Sequence, residues 1–305
     1  MALHRLTSIT LGVPDVDRSR SFFDDFGLTP GDGGWLHTRD GGAQLELAPD
    51  EHRRLQRLGV GAADADDLGR AASHVTETGL GTVIEASDER VLIAESVTGL
   101  QVELTVADPL GTTATDPALN SPAHIGRHDV PADSVLTDNP VQPSNLTHLV
   151  YGSPDQPTTL RFFTEVLGFE ISDQIPGIVA FTRCGEVHHN VAIQKAPVPL
   201  IHHIAFEMDS IDDVVRGGQH MVDVDPQRHT WGLGRHAIGS NWFWYLRDPS
   251  GTFVEYTADI DRISEQDLYR PKEWSGHEFL YSFGPPTPQE FMEPSDLPDL
   301  IAAAG

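Results

Sequence analysis

Short bursts of alternating apolar and polar residues predict strands along this chain, and between them the apolar positions fall at helical spacing. Leu6-Thr7-Ser8-Ile9-Thr10-Leu11-Gly12-Val13 reads as a strand. Asp15 or Asp17 then caps a short helix with Phe22, Phe23 and Phe26 on its buried face, and Gly27 stops it. Strand-like pieces follow at Gly34 to Thr38 and Ala43 to Leu47. The same order returns later: a strand from Leu146 to Val150, then a helix started by Asp155 and Pro157. That helix carries Leu160, Phe162, Phe163 and Val166 and ends at Gly168, and strands are predicted at Ile178 to Arg183 and His188 to Gln194.

The recurrence reaches single residues. Leu6-Thr7-Ser8 matches Leu146-Thr147-His148, Phe22-Phe23 matches Phe162-Phe163, and Thr38-Arg39 matches Thr182-Arg183. Asp64 to Leu68 matches Ser210 to Val214, and Thr98 to Glu103 matches Ser250 to Glu255. Each half therefore holds two strand-helix-strands units, the mark of an internal repeat. Where Pro, Gly, Ser, Thr and Asp dominate, over 108–143, a linker is expected between a first unit at 1–107 and a second at 144–258. Residues 259–305 carry Pro271, Pro285, Pro286, Pro288, Pro294 and Pro298, with Trp274, Phe279, Tyr281 and Phe283 as anchors. They read as an extended C-terminal arm packed on the second unit.

Composition narrows the partners. Of 305 residues, 39% are hydrophobic and 22% charged, as in soluble globular proteins. Lys plus Arg number 20 against 46 Asp plus Glu, and the net charge of −26 argues against nucleic acid or an anionic membrane as partner. No apolar run reaches the roughly 18 residues that a spanning helix needs. Met1 to Val13 lacks the core and cleavage site of a signal peptide, so a cytoplasmic protein is expected. The single cysteine, Cys184, allows no internal disulfide and reads as a strand-packing residue. His124 and His128, in the linker, read as solvated loop residues.

Candidate chemistry concentrates between Gly234 and Tyr256. Asp248-Pro249-Ser250-Gly251 has Asp, Pro and Gly where a type I turn takes them, between two β-branched and aromatic runs, so a hairpin is predicted. With Gly251 in the left-handed position of a bulge, Asp248 pairs with Thr252 and Tyr245 lies opposite Glu255. Directly opposed side chains share a face, so a phenol and a carboxylate project together. A carboxylate on an apolar strand is often only hydrogen-bonded; it becomes a metal ligand if histidines converge on it. Two strand-like segments supply them, one with His148 and one with His202 and His203. A lone histidine in either would more often be a core or surface residue. Together with Glu255 they make a two-histidine, one-carboxylate set, which leaves coordination positions open. In the first half the counterparts of His148 and His203 are Ser8 and Arg57, and only the carboxylate, Glu103, remains. That half is expected to be metal-free.

These motifs resemble the vicinal oxygen chelate superfamily, and within it the type I extradiol ring-cleaving dioxygenases of the catechol 2,3-dioxygenase kind. They are Leu-Thr-His148, His-His189-x-x-Ala192, Ile-His-His203-x-x-Phe206, Gly-Arg-His236, Tyr245, and Asp-Pro-Ser-Gly followed by Val-Glu255-Tyr. The intervals from His236 to Tyr245 and from Tyr245 to Glu255 are nine and ten, as in the family. The resemblance spans roughly residues 4 to 258 and is densest after 144. It implies an α+β fold of tandem βαβββ modules paired into two half-open barrels, with only the C-terminal barrel loaded. His148, His203 and Glu255 would hold Fe(II), with Mn(II) also satisfied by such ligands, and O2 would be the co-substrate. His189 would be the acid-base residue, and His236 and Tyr245 would hydrogen-bond an aromatic diol. His188 and His202 would be structural neighbours. The interval from His189 to His203, 14 residues, is one short of that in close relatives and keeps His188 in contention for the acid-base role.

The implied activity is cleavage of a catechol-type ring beside its diol, giving a 2-hydroxymuconic semialdehyde-type product in aromatic degradation. The implied assembly is a homo-oligomer, a tetramer in relatives. Competing readings are a hydroxyphenylpyruvate-type dioxygenase, which would not be expected to pair His236 with Tyr245 at this spacing, and a glyoxalase-type isomerase, which has no use for His189. A metal-free binding protein of the same fold would need only an apolar, aromatic cavity, for which Trp242, Trp244 and Phe253 are candidates, and Trp231, Trp242 and Trp244 point to a flat hydrophobic ring as the molecule bound. No basic residue stands out as a clamp for an acidic substrate; Arg235 and Arg247 are candidates, with a solvated or structural role as the alternative for each.

Overall fold

Parallel strands need a crossover, and each repeat of this chain supplies one as a helix between its first and its last strand. The computed structural model describes residues 2–114, 117–137, 139–265, 268–275 and 280–304. In the first half, β1 (Leu3–Val13), α1 (Val16–Phe26), β2 (Thr29–Pro30), β3 (Trp35–Thr38) and β4 (Gly42–Pro49) form one βαβββ module. A second follows as β5 (Arg54–Ala62), α2 (Ala65–Thr78), β6 (Gly81–Ala86), β7 (Arg90–Glu95) and β8 (Gln101–Val106). Two-residue strands β9 (Asn120–Ser121) and β10 (His124–Ile125) and the short α3 (Asp133–Leu136) lie before the second half.

There, β11 (Asn145–Ser153), α4 (Gln156–Arg161), β12 (Glu170–Ile175), β13 (Val179–Arg183) and β14 (Val191–Lys195) form the third module. The fourth is β15 (Leu200–Glu207), α5 (Ile211–Val224), β16 (His229–Arg235), β17 (Trp242–Arg247) and β18 (Phe253–Ala258). In every module the first strand runs parallel to the last, and the two modules of a half join through antiparallel first strands, β1 with β5 and β11 with β15. The arm adds β19 (Lys272–Glu273) to the edge of the second sheet and ends in α6 (Gln289–Met292) and α7 (Leu297–Ala304). Phe279 lies outside the described residues.

Local chemistry explains the helix bounds. Asp15, Asp64 and Ser210 each accept a hydrogen bond from the backbone N–H three residues on, and Gly27, at φ +100°, ends α1 in the left-handed conformation. Two expectations are corrected. The helix over Leu160 to Val166 is α-helical only to Arg161; Phe162–Val166 is a single π turn, closed by the bond from Leu167 N–H to the Phe162 carbonyl. The strand expected to begin at His188 begins at Val191, because the His188 N–H bonds to the Asp261 carbonyl in the arm. Strand β12 had no clear apolar alternation to reveal it.

One core runs through both halves. Phe26 of α1 stacks on Tyr256 of β18 at 3.8 Å and packs edge-on to Phe206 of β15 at 5.5 Å. The Tyr256 hydroxyl donates to the Phe26 carbonyl at 2.7 Å. Both contacts brace the strands that carry the site from behind.

Candidate metal centre

Four neighbouring strands, β17, β18, β15 and β11, build the site, and their register decides which side chains meet. Ala205 on β15 is paired with His148 of β11 on one side and with Glu255 of β18 on the other. His203, two residues before Ala205, emerges on the same face. Ala205 has only a methyl group, so the three longer side chains converge above it. Next to them, Tyr245 of β17 is opposite Glu255, the pairing the Asp-Pro-Ser-Gly turn demands, and Asp248 N–H bonds to the Thr252 carbonyl at 3.0 Å.

His148 Nε2 is 3.1 Å and His203 Nε2 is 3.7 Å from Glu255 Oε2, and the three ligand atoms lie within 4.8 Å of one another. Ligands held about 2 Å from an ion on one of its faces stand about 3 Å apart, so these donors are close to metal spacing. Glu255 has no exposed surface. Asn241 donates to its Oε1 at 3.0 Å and the Tyr245 phenol lies beside it, and its other near partners are imidazoles. Burial, reinforced by the neighbouring histidines, pushes His203 well below the usual imidazole range, and burial also lowers His236. Neutral imidazoles give the carboxylate no counter-charge, and a divalent cation would supply it. The first half solves the same problem differently: Arg57 donates to Glu103 at 3.0 Å.

Around the triad lies a cavity of about 230 Å³. His148, His189, His203, His236 and Tyr245 face it, and Val150, Val179, Phe181, Ile238, Leu280 and Phe291 give it apolar walls. The His189 ring sits 4.3 Å from that of His148, and burial, then the charges of His148 and other histidines, drives it well below its ordinary pKa. His188 turns away: its Nε2 faces Asp173 at 3.6 Å and the Tyr269 hydroxyl at 3.2 Å. His236 Nε2 and the Tyr245 hydroxyl are 2.9 Å apart. Burial, then Glu255, raises the Tyr245 phenol well above its usual value, so it stays protonated.

Strand alternation corrects the expected lining. Because Tyr245 faces the cavity, Trp244 and Trp242 face the other way: Trp244 packs against Gly218 of α5, and Trp242 lies under Phe283 and Arg235. Trp231 stacks behind Tyr245 at 5.7 Å, and its indole donates to the Pro285 carbonyl. Phe253 shares the face of Glu255 but is covered by Phe291 at 5.2 Å. Neither arginine is a clamp, since Arg235 pairs with Asp259 at 2.8 Å and Arg247 with Glu290. Lys195, at the end of β14, is the basic residue that does border the cavity. Leu280, Phe291 and Met292 of the arm border it too. The sequence signal for these was slight: apolar residues scattered among prolines.

Paired βαβββ modules with a buried His-His-Glu face opening on an apolar cavity define a metal-dependent enzyme of the glyoxalase and extradiol dioxygenase fold. Residues 145–256 match the family described as Glyoxalase/Bleomycin resistance protein/Dioxygenase superfamily. Over 275 residues the chain is 32% identical to a biphenyl-2,3-diol 1,2-dioxygenase of Metapseudomonas furukawaii, covering 84% of this chain and 86% of the relative. Over 299 residues it is 28% identical to metapyrocatechase 2 of Cupriavidus necator, covering 95% and 92%. The Mn(II)-bound glyoxalase from Novosphingobium aromaticivorans superposes with a TM-score of 0.76 at 25% identity, over 100% of this chain and 99% of that one. The chain belongs to this superfamily, among its extradiol ring-cleaving dioxygenases.

Proposed function

We propose that the protein opens a catechol-type ring next to its two hydroxyls, using O2, and yields a 2-hydroxymuconic semialdehyde-type product, as a step in the breakdown of aromatic compounds. The observation that carries the reading is the convergence of His148, His203 and Glu255 on one buried face of an apolar cavity that His189, His236 and Tyr245 also border. His148, His203 and Glu255 would hold Fe(II), or Mn(II) in its place. The chemistry such an ion supplies when bound is to present diol and O2 side by side and to acidify the diol hydroxyl on it.

The remaining work falls to side chains. His189, neutral because it is buried, is the base that takes a proton from the diol and later returns it to the departing oxygen. Tyr245, held as a phenol, would turn its one O–H from His236 Nε2 toward charge that grows on a diol oxygen, and His236 holds the phenol in place until then. Val150, Val179, Phe181 and Phe291 flank a flat apolar ring and exclude water. The resemblance to tetrameric enzymes supports a homo-oligomer, with the tetramer favoured, and light scattering on the purified chain checks it. The single cysteine, with its thiol pushed to about 12 by burial, supports a packing role for Cys184 in a cytoplasmic protein. The net charge of −26 supports a small-molecule partner rather than nucleic acid or a membrane.

The deciding experiment mixes the protein, reconstituted anaerobically with Fe(II), with a panel of catechols and then admits air. Yellow ring-opened product is expected. No product from any catechol, with iron bound at one per chain, would sink the activity.

A further inference from the structure

Three imidazoles that border the cavity, His189, His203 and His236, are each linked through Nδ1 to the C-terminal arm. His202 Nε2 is 2.7 Å from the Phe291 carbonyl oxygen, and a carbonyl only accepts, so a neutral His202 carries its proton on Nε2. Its Nδ1 is then a bare lone pair, 2.9 Å from Nδ1 of His203. That contact is a hydrogen bond only if His203 is protonated on Nδ1, which leaves His203 Nε2 bare, 3.7 Å from Glu255 Oε2. Only a bare nitrogen can ligate a cation.

The second histidine pair has the same polarity. Asp173 accepts from the Lys272 backbone N–H at 2.8 Å, the Trp274 indole at 2.9 Å and the Tyr269 hydroxyl at 3.3 Å. Having given its proton to Asp173, the Tyr269 oxygen accepts from His188 Nε2 at 3.2 Å. His188 Nδ1 is therefore bare, and at 3.0 Å it receives the Nδ1 proton of His189. His236 needs no intermediary, because its Nδ1 donates to the Leu280 carbonyl while its Nε2 accepts from Tyr245. His148 stands apart: its Nδ1 has no hydrogen-bond partner among the described residues.

We propose that the C-terminal arm sets the tautomers of the site: through Tyr269, Leu280 and Phe291 it holds the protons of His189, His203 and His236 on Nδ1. His188 and His202 are the positioning residues that carry this setting inward. One contact with the arm each then decides that His203 offers a lone pair to a cation and that His189 starts as a base. An arm that docks late or wrongly would leave these rings free to take the Nε2–H form, in which His203 cannot ligate.

The consequence for metal binding rests on the ligand assignment made above, whereas the tautomers can be read without any metal. Long-range proton–nitrogen spectra of the full chain labelled with 15N-histidine, assigned by single substitutions, should show His189, His203 and His236 protonated on Nδ1 and His188 and His202 on Nε2. His202→Leu should release His203 into a mixture of forms and weaken Mn(II) binding, measured by competition with a chelating dye, about 10–100-fold. His202→Asn places an amide oxygen near the lost Nδ1, and should keep the His203 proton on Nδ1 and the affinity within about threefold. An Nε2 proton on His203 in the unsubstituted chain overturns the proposal, as does undiminished Mn(II) affinity in His202→Leu. So does an Asn variant that behaves like Leu. If the tautomers are as stated and the unsubstituted chain binds no Mn(II) or Fe(II), the ligand assignment fails and the tautomer device stands.

Discussion

At the residue scale, Glu255 is the side chain on which the candidate centre turns, because it is a fully buried carboxylate whose nearest partners are imidazoles, one amide and the Tyr245 phenol, none of them a fixed cation. His148→Ala and Glu255→Ala should each lose bound metal and activity together, with elemental analysis reading the first and oxygen uptake the second. Full activity in metal-depleted His148→Ala protein would refute the assignment. His189→Ala should keep metal and diol affinity while turnover falls by about 10²–10⁴, the usual worth of a positioned acid-base group. The buried histidines also predict a pH dependence. His202 is pushed down to about 4 by burial, and His189, His203 and His236 are lowered as well. Below the unfolded value near 6.5, the unfolded chain takes up protons that the folded chain refuses, so stability declines from about pH 6.5 downward. His202 alone would account for about 3 kcal/mol by pH 4. Asp248, raised to about 6 by burial, acts in the opposite sense but is one group against four. Urea midpoints of the metal-free chain between pH 7.5 and 5 check the direction; a midpoint that rises on acidification would contradict it.

At the element scale, the arm and helix α5 show how far local rules reach. Phe291 packs on His202, Tyr245 and Trp231 at ring distances of 4.8, 4.6 and 5.0 Å. Phe291→Ala should cost about 3 kcal/mol in urea unfolding and raise KM for the diol, because it removes both core packing and a cavity wall. Unchanged kinetics in a chain cut after Arg270 would rule out a covering role for the arm. In α5, Gly218→Ala would add about 1 kcal/mol from helix propensity alone. A Cβ there would lie 2.2 Å from the Trp244 ring, so overpacking decides the sign. We expect a net loss of about 1–2 kcal/mol, read from the denaturant midpoint.

At the scale of the whole molecule, the first half supports the second without sharing its candidate ligands. The pair Arg57–Glu103 places a cation where the second half has a histidine, and the stack of Phe26 on Tyr256 locks the two halves together. Phe26→Ala should lower stability by about 3–5 kcal/mol. If the shared core couples the halves, fluorescence and circular dichroism should still report a single unfolding transition. Two separated transitions in the unsubstituted chain would show that the halves unfold independently.

Much of the molecule was legible because its cause is local. The duplication, the helix stops at glycine, and the opposition of Tyr245 to Glu255 follow from turn chemistry and from the two-residue period of a strand. The candidate ligands stood out for the same reason, since a carboxylate and histidines on apolar strands differ from their neighbours. Other features depended on residues far apart in the chain. Tertiary contacts turned His189 to the cavity and His188 to Asp173 and Tyr269, and left the tryptophans behind the sheet. They also brought Leu280 and Phe291, more than twenty residues beyond β18, to the cavity that His148 and His203 border. Residue order alone sets the face of each strand relative to its neighbours. Which face becomes the inside, and what covers it, is set only when distant segments pack.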